Sequence, residues 1–260
     1  MTFYLIGLGM TENSLTAETL EILKQADKIY LENYTINFPY DIKNLLPNIY
    51  NLIPLSRESV ESEEILQEAK QKNIALLVYG DALSATTHIQ LILSAKKQNI
   101  PYKIFHNASI LTTVAETGLQ LYKFGKTTSM PNWTEHTNKP TSFANYIKQN
   151  QSIQAHTLIL TDIGLEIKDA INQLKQSCDT LPEKIIALSN AGTDNQKIFY
   201  DTPDNLAKLN SKTDTLKHSN TNTLQMQNIY LPFCLIIPSN LNHTEKEFLK
   251  ILKPKTNPNI

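Results

Sequence analysis

The 260-residue sequence predicts an α/β fold made of two α/β domains whose sheets are mainly parallel or mixed. Three observations carry that prediction. The run Ile74-Ala-Leu-Leu-Val78 is wholly apolar and ends at Tyr79-Gly80-Asp81, the mark of a strand buried on both faces. Short strand-like runs alternate with helix-period segments, and such alternation demands the crossover connections of a parallel sheet. From Lys126 to about Lys139 the chain turns polar and irregular, with Pro131 and Trp133 inside it and Pro140 just beyond; this places a hinge and divides the chain into residues 1–125 and 126–260.

Residues 3–8 form the first apolar strand. Thr16 is placed to cap a helix in which Leu20, Ile22, Leu23, Ala26 and Ile29 lie on or near one face, with Glu18 in its first turn. Residues 28–31 and 49–52 read as short strands and 59–72 as a charged, exposed helix. After the central apolar strand, the Ser84/Thr86/Thr87 cluster opens a helix reaching residue 98. Residues 102–105 are a fifth strand, and Asn107-Ala108-Ser109 starts another helix. In the second half a helix at 142–149 precedes a strand at 157–160 and a helix at 165–176. A strand at 184–188 ends in Ser189-Asn190-Ala191-Gly192, an apolar strand at 229–237 stops at Pro238, and a helix at 244–252 closes the pattern. The Lys/Thr/Asn-rich stretch 210–223 reads as a surface loop or edge element.

A hydrophobic content of 41% with a formal net charge of −1 describes an ordinary globular chain and argues against a nucleic-acid partner, which calls for a basic face. Cys178 and Cys234 show no CxxC or Cys/His spacing and the histidines are scattered. No disulfide framework or metal site is expected, and a cytoplasmic setting fits. The apolar amino terminus is too short to span a bilayer, so no membrane partner is expected. Arg57 is the sole arginine in a chain that otherwise uses lysine, which marks it as a position needing a planar fork of donors.

Gly7, Gly9, Gly80 and Gly192 all fall at or just after predicted strand ends, where glycine permits a positive φ or close approach of a ligand to the backbone; a tight turn explains any single one, and four at equivalent edges favour a binding crevice. The stretch from Ile74 to His88 places one acid, Asp81, and free backbone N–H groups in a crevice at a strand's carboxyl end. Gly7-Leu8-Gly9 lacks the third glycine of a dinucleotide site, because Glu12 stands there, and no GxxxxGK[ST] stretch exists. Phosphate-cradling cofactors are therefore disfavoured, and a cofactor carrying positive charge suits Asp81 better. No nucleophile elbow appears, and no histidine is placed by sequence to activate Ser109.

Several longer pieces carry a resemblance. They are Tyr4-Leu-Ile-Gly-Leu-Gly9, Leu31-Glu-Asn-Tyr-Thr35, Leu55-Ser-Arg-Glu-Ser-Val-Glu61, and Gly80-Asp81 with Ala85-Thr-Thr-His88. Further on come Ala108-Ser-Ile110, Thr117-Gly-Leu-Gln-Leu-Tyr-Lys-Phe-Gly-Lys126, Asn132-Trp133, Pro140-Thr-Ser142 and His156-Thr-Leu158, dense to about Asp162 and thinner beyond. In these pieces the chain resembles the diphthine synthases, S-adenosylmethionine-dependent methyltransferases of the tetrapyrrole-methylase superfamily. The glycines and the Gly-Asp turn are shared across that superfamily; the Ser-Arg-Glu and Tyr-Lys-Phe-Gly-Lys segments are more specific.

The resemblance implies the class III methyltransferase architecture, with S-adenosyl-L-methionine in a cleft between two α/β domains, S-adenosyl-L-homocysteine as product, and a homodimer. It implies cofactor contacts at Met10, Asp81, Ser84, Ser109, Ile110, Thr161, Ala191 and Phe233. The sequence departs from the usual family pattern at Met10 (Leu), Ala82 (Pro), Ser84 (Val), Ala108 (Pro), Thr161 (Leu) and Phe233 (often His). The implied reaction is repeated N-methylation of a 3-amino-3-carboxypropyl histidine on translation elongation factor two, in diphthamide biosynthesis. Tyr34, Arg57 and the Tyr122–Lys126 segment are expected on the substrate side, with Arg57 gripping the acceptor carboxylate; no general base is identifiable. Archaeal members stop at the trimethylated amine and eukaryotic ones add a methyl ester, and the compact length leans to the former. Two alternatives remain: another methylase of the superfamily, and a degenerate homologue that only binds a partner. Calorimetry with S-adenosylmethionine separates the last from the enzymes.

Overall fold

The computed structural model describes residues 1–42, 52–212 and 228–252. The chain divides into two compact units, Met1–Thr113 and Val114–Ile260. In the first unit β1 (Phe3–Gly7), β2 (Lys28–Glu32), β3 (Leu52–Leu55), β4 (Ile74–Val78) and β5 (Tyr102–Phe105) form one sheet in the order β3-β2-β4-β1-β5. Every neighbouring pair is parallel. Its helices are α1 (Ala17–Gln25), α2 (Arg57–Glu61), α3 (Glu64–Ala69), α4 (Ile89–Lys97) and α5 (Ile110–Thr113).

Alternation along β4 explains why that strand is apolar throughout. Ile74, Leu76 and Val78 join a core with Phe3, Leu5, Ile65, Leu66, Leu91 and Ile92. Ala75 and Leu77 face the opposite way, into a core with Ile6, Leu8, Leu23 and Leu31. Both faces of the central strand are thus buried, each large side chain contributing about 1.5–3 kcal/mol. Thr16 caps α1 as expected, its hydroxyl accepting from Thr19 N–H at 3.2 Å.

The second unit holds a mixed sheet in the order β6-β7-β12-β8-β9. Its strands are β6 (Thr128–Met130), β7 (Thr157–Thr161), β8 (Ile185–Ser189), β9 (Lys197–Asp201) and β12 (Phe233–Ile237). β12 lies antiparallel between β7 and β8, and β9 is antiparallel to β8; only β6 and β7 run parallel. β10 (Asn210–Lys212) and β11 (Asn228–Tyr230) make a two-stranded ribbon. The helices are α6 (Ser142–Ser152), α7 (Ile167–Ser177), α8 (Pro203–Leu206) and α9 (His243–Ile251). Phe143, Ile147, Ile171, Leu174, Leu235 and Ile237 belong to a large core of this unit.

Several expectations are corrected. The expected helix at 59–72 is two short helices, broken where Glu63 takes φ 59°, and Ile65, Leu66 and Ala69 are buried rather than exposed. Leu20 turns to solvent, and Ile29 belongs to β2. The helix expected from residue 86 begins at Ile89, because residues 81–88 are a loop in which Ala85 has φ 56°. Of the expected strand at 49–52, residues 49–51 lie outside the described residues and Leu52 opens β3. The apolar run 229–237 is two strands separated at Leu231-Pro232, since proline cannot donate to a ladder. Residues 210–212 of the expected loop form β10, and 213–223 lie outside the described residues.

Candidate functional site

In the first unit the carboxyl ends of β4, β1 and β5, three adjacent strands, bring together five of the expected residues. Gly9 and Gly80 bridge the loops after β1 and β4 with two backbone hydrogen bonds, Gly9 N–H to Gly80 O at 2.9 Å and Gly80 N–H to Gly9 O at 3.0 Å. A Cβ on Gly7 would lie 2.7 Å from Gly80 O, so the protein's own loop, not a ligand, requires that glycine. Gly80 has φ +73°, and a Cβ there would meet Ser109 at an ordinary 3.7 Å. Met10, Asp81 and Ser109 are buried beside this crossing, and Ser84 and Ile110 are half-buried.

Asp81 is the hub. Its Oδ1 accepts from Leu83 N–H at 2.9 Å and from the Ser84 hydroxyl at 3.1 Å. Its Oδ2 accepts from Asn107 N–H at 3.0 Å and contacts His106 Nδ1 at 2.8 Å. Burial by itself would raise the carboxyl's pKa; the four donors outweigh it and hold Asp81 below the usual carboxylate value. The carboxylate therefore stays ionised while its lone pairs are engaged. It offers a field more than a free acceptor, a refinement of the sequence expectation. Asn107 locks the same turn, its amide donating to Gly7 O at 3.1 Å and Ser14 O at 2.9 Å.

The second unit gathers the remaining three. The registers Cys234↔Leu160 and Phe233↔Ser189 place Thr161, Phe233 and Ser189 in one row across β7, β12 and β8, with Ala191 two residues past the row. The Thr161 hydroxyl donates to the Phe233 carbonyl, so the polar atom of this departure from the family pattern is satisfied within the sheet. Asn190, in the left-handed region at φ 48°, is fully buried, yet both atoms of its amide lack a partner. A buried orphan amide costs about 1–3 kcal/mol unless something supplies its hydrogen bonds.

Of the substrate-side residues, Tyr34 and Arg57 come together: the guanidinium carbon lies 5.5 Å from the Tyr34 ring centroid. Arg57 is exposed at the start of α2, within cation–π range of that ring. In the Tyr122–Lys126 segment of the second unit, the Tyr122 side chain is exposed. Lys123 pairs with the buried Glu245 at 2.5 Å, and Lys126 lies over the Tyr146 ring.

Sequence reasoning missed Asn107, His106, Asn190 and a buried group formed by Glu32, Thr86 and His88. Glu32 carried a signal, a carboxylate closing an otherwise apolar strand. Both cysteines are free, and no cluster of metal-ligating side chains occurs among the described residues.

A family model described as tetrapyrrole (corrin/porphyrin) methylases matches residues 2–207. The chain is 38% identical over 209 residues to a diphthine methyl ester synthase of Schizosaccharomyces pombe, covering 78% of this chain and 73% of that protein. The enzyme of that name from Homo sapiens is also 38% identical, over 211 residues, covering 77% and 73%. A crystal structure titled diphthine synthase superposes with a TM-score of 0.80 at 27% identity, over 97% of this chain and 96% of that one. With its first sheet parallel, its second mixed and its Gly-Asp turn in place, the chain belongs to the tetrapyrrole methylases and, within them, to the diphthine synthases.

Proposed function

We propose that the chain transfers methyl groups from S-adenosyl-L-methionine to the amino nitrogen of a 3-amino-3-carboxypropyl histidine on translation elongation factor two, repeatedly on one nitrogen, as a cytoplasmic homodimer. The observation that carries the reading is the ionised Asp81 turn at the ends of β4, β1 and β5, in a chain whose relatives are diphthine methyl ester synthases. No helix of the described residues is long and apolar enough to cross a membrane.

Two observations support a fit of these residues to the cofactor. The Asp81 carboxylate is held ionised where a sulfonium needs a compensating charge, and the orphan amide of Asn190 stands beside Ala191 with hydrogen bonds to give. Met10, Asp81, Ser84, Ser109 and Ile110 of the first unit, with Thr161, Ala191 and Phe233 of the second, would hold it. When bound, it supplies an electrophilic methyl group already activated by positive sulfur. The protein's share is alignment of the acceptor amine and exclusion of water. Arg57, steadied on Tyr34, grips the acceptor's carboxylate as a bidentate fork.

The names of the relatives include a methyl ester, which runs against the expectation of trimethylation alone and favours the acceptor carboxylate as a further methyl acceptor. The test is incubation with elongation factor two carrying the unmethylated 3-amino-3-carboxypropyl group and isotopically labelled S-adenosylmethionine, followed by mass measurement of the modified histidine. Successive 14-dalton increments on that residue are expected. No increment, with the cofactor still bound, would refute the assignment.

A further inference from the structure

Amine methylation needs a proton acceptor, because a protonated amine has no lone pair with which to attack. The strongest unassigned group in the first unit meets that need. Glu32 closes β2 at the same sheet end as Asp81, since β2 and β4 are parallel with Leu31 opposite Leu77. Its carboxylate is buried and stands 2.5 Å from His88 Nε2, with both side chains at most 3% exposed. It is a close approach without an aligned hydrogen bond at Glu32 Oε2. The other imidazole nitrogen, Nδ1, lies 2.5 Å from Thr86 Oγ1.

The nearby carboxylate favours one tautomer. With Nε2–H toward Glu32, Nδ1 is the acceptor and the Thr86 hydroxyl donates to it. Thr86 Oγ1 also accepts from His88 N–H at 3.0 Å, which leaves it one lone pair. Thr86 is only half-buried, whereas His88 and Glu32 are enclosed. It follows Ala85, held at φ 56°, a conformation costly for a residue with a Cβ and one that concentrates at working sites. The same loop begins at Asp81 and Ser84. One short segment thus joins the charge of the expected donor site to a buried carboxylate–imidazole–hydroxyl chain.

We propose that Thr86, His88 and Glu32 form the proton-accepting relay of the methyl transfer, a reading that rests on the function proposed above. The acceptor ammonium gives a proton to Thr86 Oγ1 as the Thr86 proton passes to His88 Nδ1. The freed nitrogen lone pair then forms the bond to the methyl carbon, and the carbon–sulfur bond breaks with its electron pair going to sulfur. The imidazolium is neutralised by Glu32, so the pair changes from one net negative charge to none, and the proton is later lost to water. Thr86 is the group that touches substrate; His88 and Glu32 act through it. Charged groups on the bordering elements are Lys28 of β2, paired with Glu68 of α3; Arg57 and Glu58 of α2; Glu63, bonded to Ser94 at 2.5 Å, and Glu64 at the start of α3; Lys96 and Lys97 in the last turn of α4; and Asp81, bonded to His106.

The experiment measures methyl transfer to the modified elongation factor from pH 6 to 9.5 at saturating S-adenosylmethionine, for the wild type, Thr86→Val, His88→Gln and Glu32→Gln. Calorimetry gives cofactor affinity, and thermal melting gives integrity. Thr86→Val removes only a half-buried hydroxyl and is the variant expected to fold normally. At pH 7 it and His88→Gln should be about 10²-fold slower or more, with cofactor affinity unchanged. The deficit should contract about tenfold per pH unit as bulk hydroxide deprotonates the amine. A deficit in Thr86→Val that is the same at every pH, or none at all, would overturn the relay and leave the methyltransferase assignment standing. Absence of transfer by the wild type would remove both.

Discussion

Glu245→Gln tests the electrostatics of the second unit. Glu245 is fully buried, and both oxygens are occupied. Oε1 accepts from Gln120 N–H at 3.0 Å and meets His156 Nε2 at 3.1 Å; Oε2 meets Lys123 Nζ at 2.5 Å and accepts from Asn242 N–H at 2.9 Å. The last contact, with Asn242 accepting from Glu245 N–H, forms the capping box of α9. Burial would raise this carboxyl; Lys123, the two backbone donors and His156 overcome it and take the pKa from 4.5 to about 2. At about 1.36 kcal/mol per pH unit, that difference corresponds to about 3 kcal/mol of stability. Its folded pKa lies below the unfolded one, so the contribution is complete above about pH 5 and is lost as pH falls toward 2, with about 2 kcal/mol gone at pH 3. His156 adds an earlier step of the same sign, because burial lowers its pKa from 6.5 and protonation destabilises the fold as pH falls through that value. Glu245→Gln should therefore cost about 3 kcal/mol at pH 7, about 6–12 °C in Tm, and should flatten the stability profile between pH 5 and 2.5. Urea midpoints across that range decide it. A variant whose acid limb parallels the wild type's would refute the assignment of that limb to Glu245.

Gly118→Ala should lower Tm by several degrees, because Gly118 has φ +82° and its added Cβ would stand 2.1 Å from the Phe248 ring; unchanged melting would mean the turn relaxes freely. Arg57→Lys should raise the KM for the elongation factor about tenfold with cofactor affinity intact, since an ammonium cannot reproduce a fork stacked on Tyr34; equal loss of both would remove Arg57 from the acceptor side. Asp81→Asn should weaken S-adenosylmethionine at least tenfold by calorimetry, because the new NH2 would face N–H donors that Asp81 now accepts; undiminished affinity would detach the turn from the cofactor.

The elements readable in the sequence were those whose burial pattern is local. β1, β4 and β5 are apolar runs with turns at their ends, and Thr16 announces α1. What escaped depended on partners far along the chain. β9 has a half-buried sequence, Lys-Ile-Phe-Tyr-Asp, that becomes a strand only by pairing with β8, and β6 is three residues long. The antiparallel placement of β12 leaves no mark in its own residues. The site divides the same way. Met10, Asp81, Ser84 and Ser109 follow strand ends and could be placed from sequence, whereas Glu32 and His88 look unrelated until α4 is laid beside β2.

The segment most specific to the family shows why motif strength and chemical role are different things. Gly118 gives way to Phe248 of α9, Gln120 and Lys123 bind Glu245, and Phe124 packs edge-on against His156 at 5.4 Å between centroids. Gly125 makes room for Asn150, whose side chain closes on both Lys126 N–H and Lys126 O at 2.9 Å. Residues 117–126 thus clamp the entry of the second unit to α9, with Gly118, Gln120, Lys123, Phe124 and Gly125 each set against a named partner, while Leu121 and Tyr122 stay exposed. Asp81 is held just as firmly, by four donors within the chain, whereas Thr86 is only half-buried and Asn190 keeps an amide without a partner. Chemistry in this protein is therefore better sought at incompletely satisfied groups (Asn190, Thr86, Glu32) than along its densest motif, where Gln120, Lys123 and Lys126 already bond within the fold.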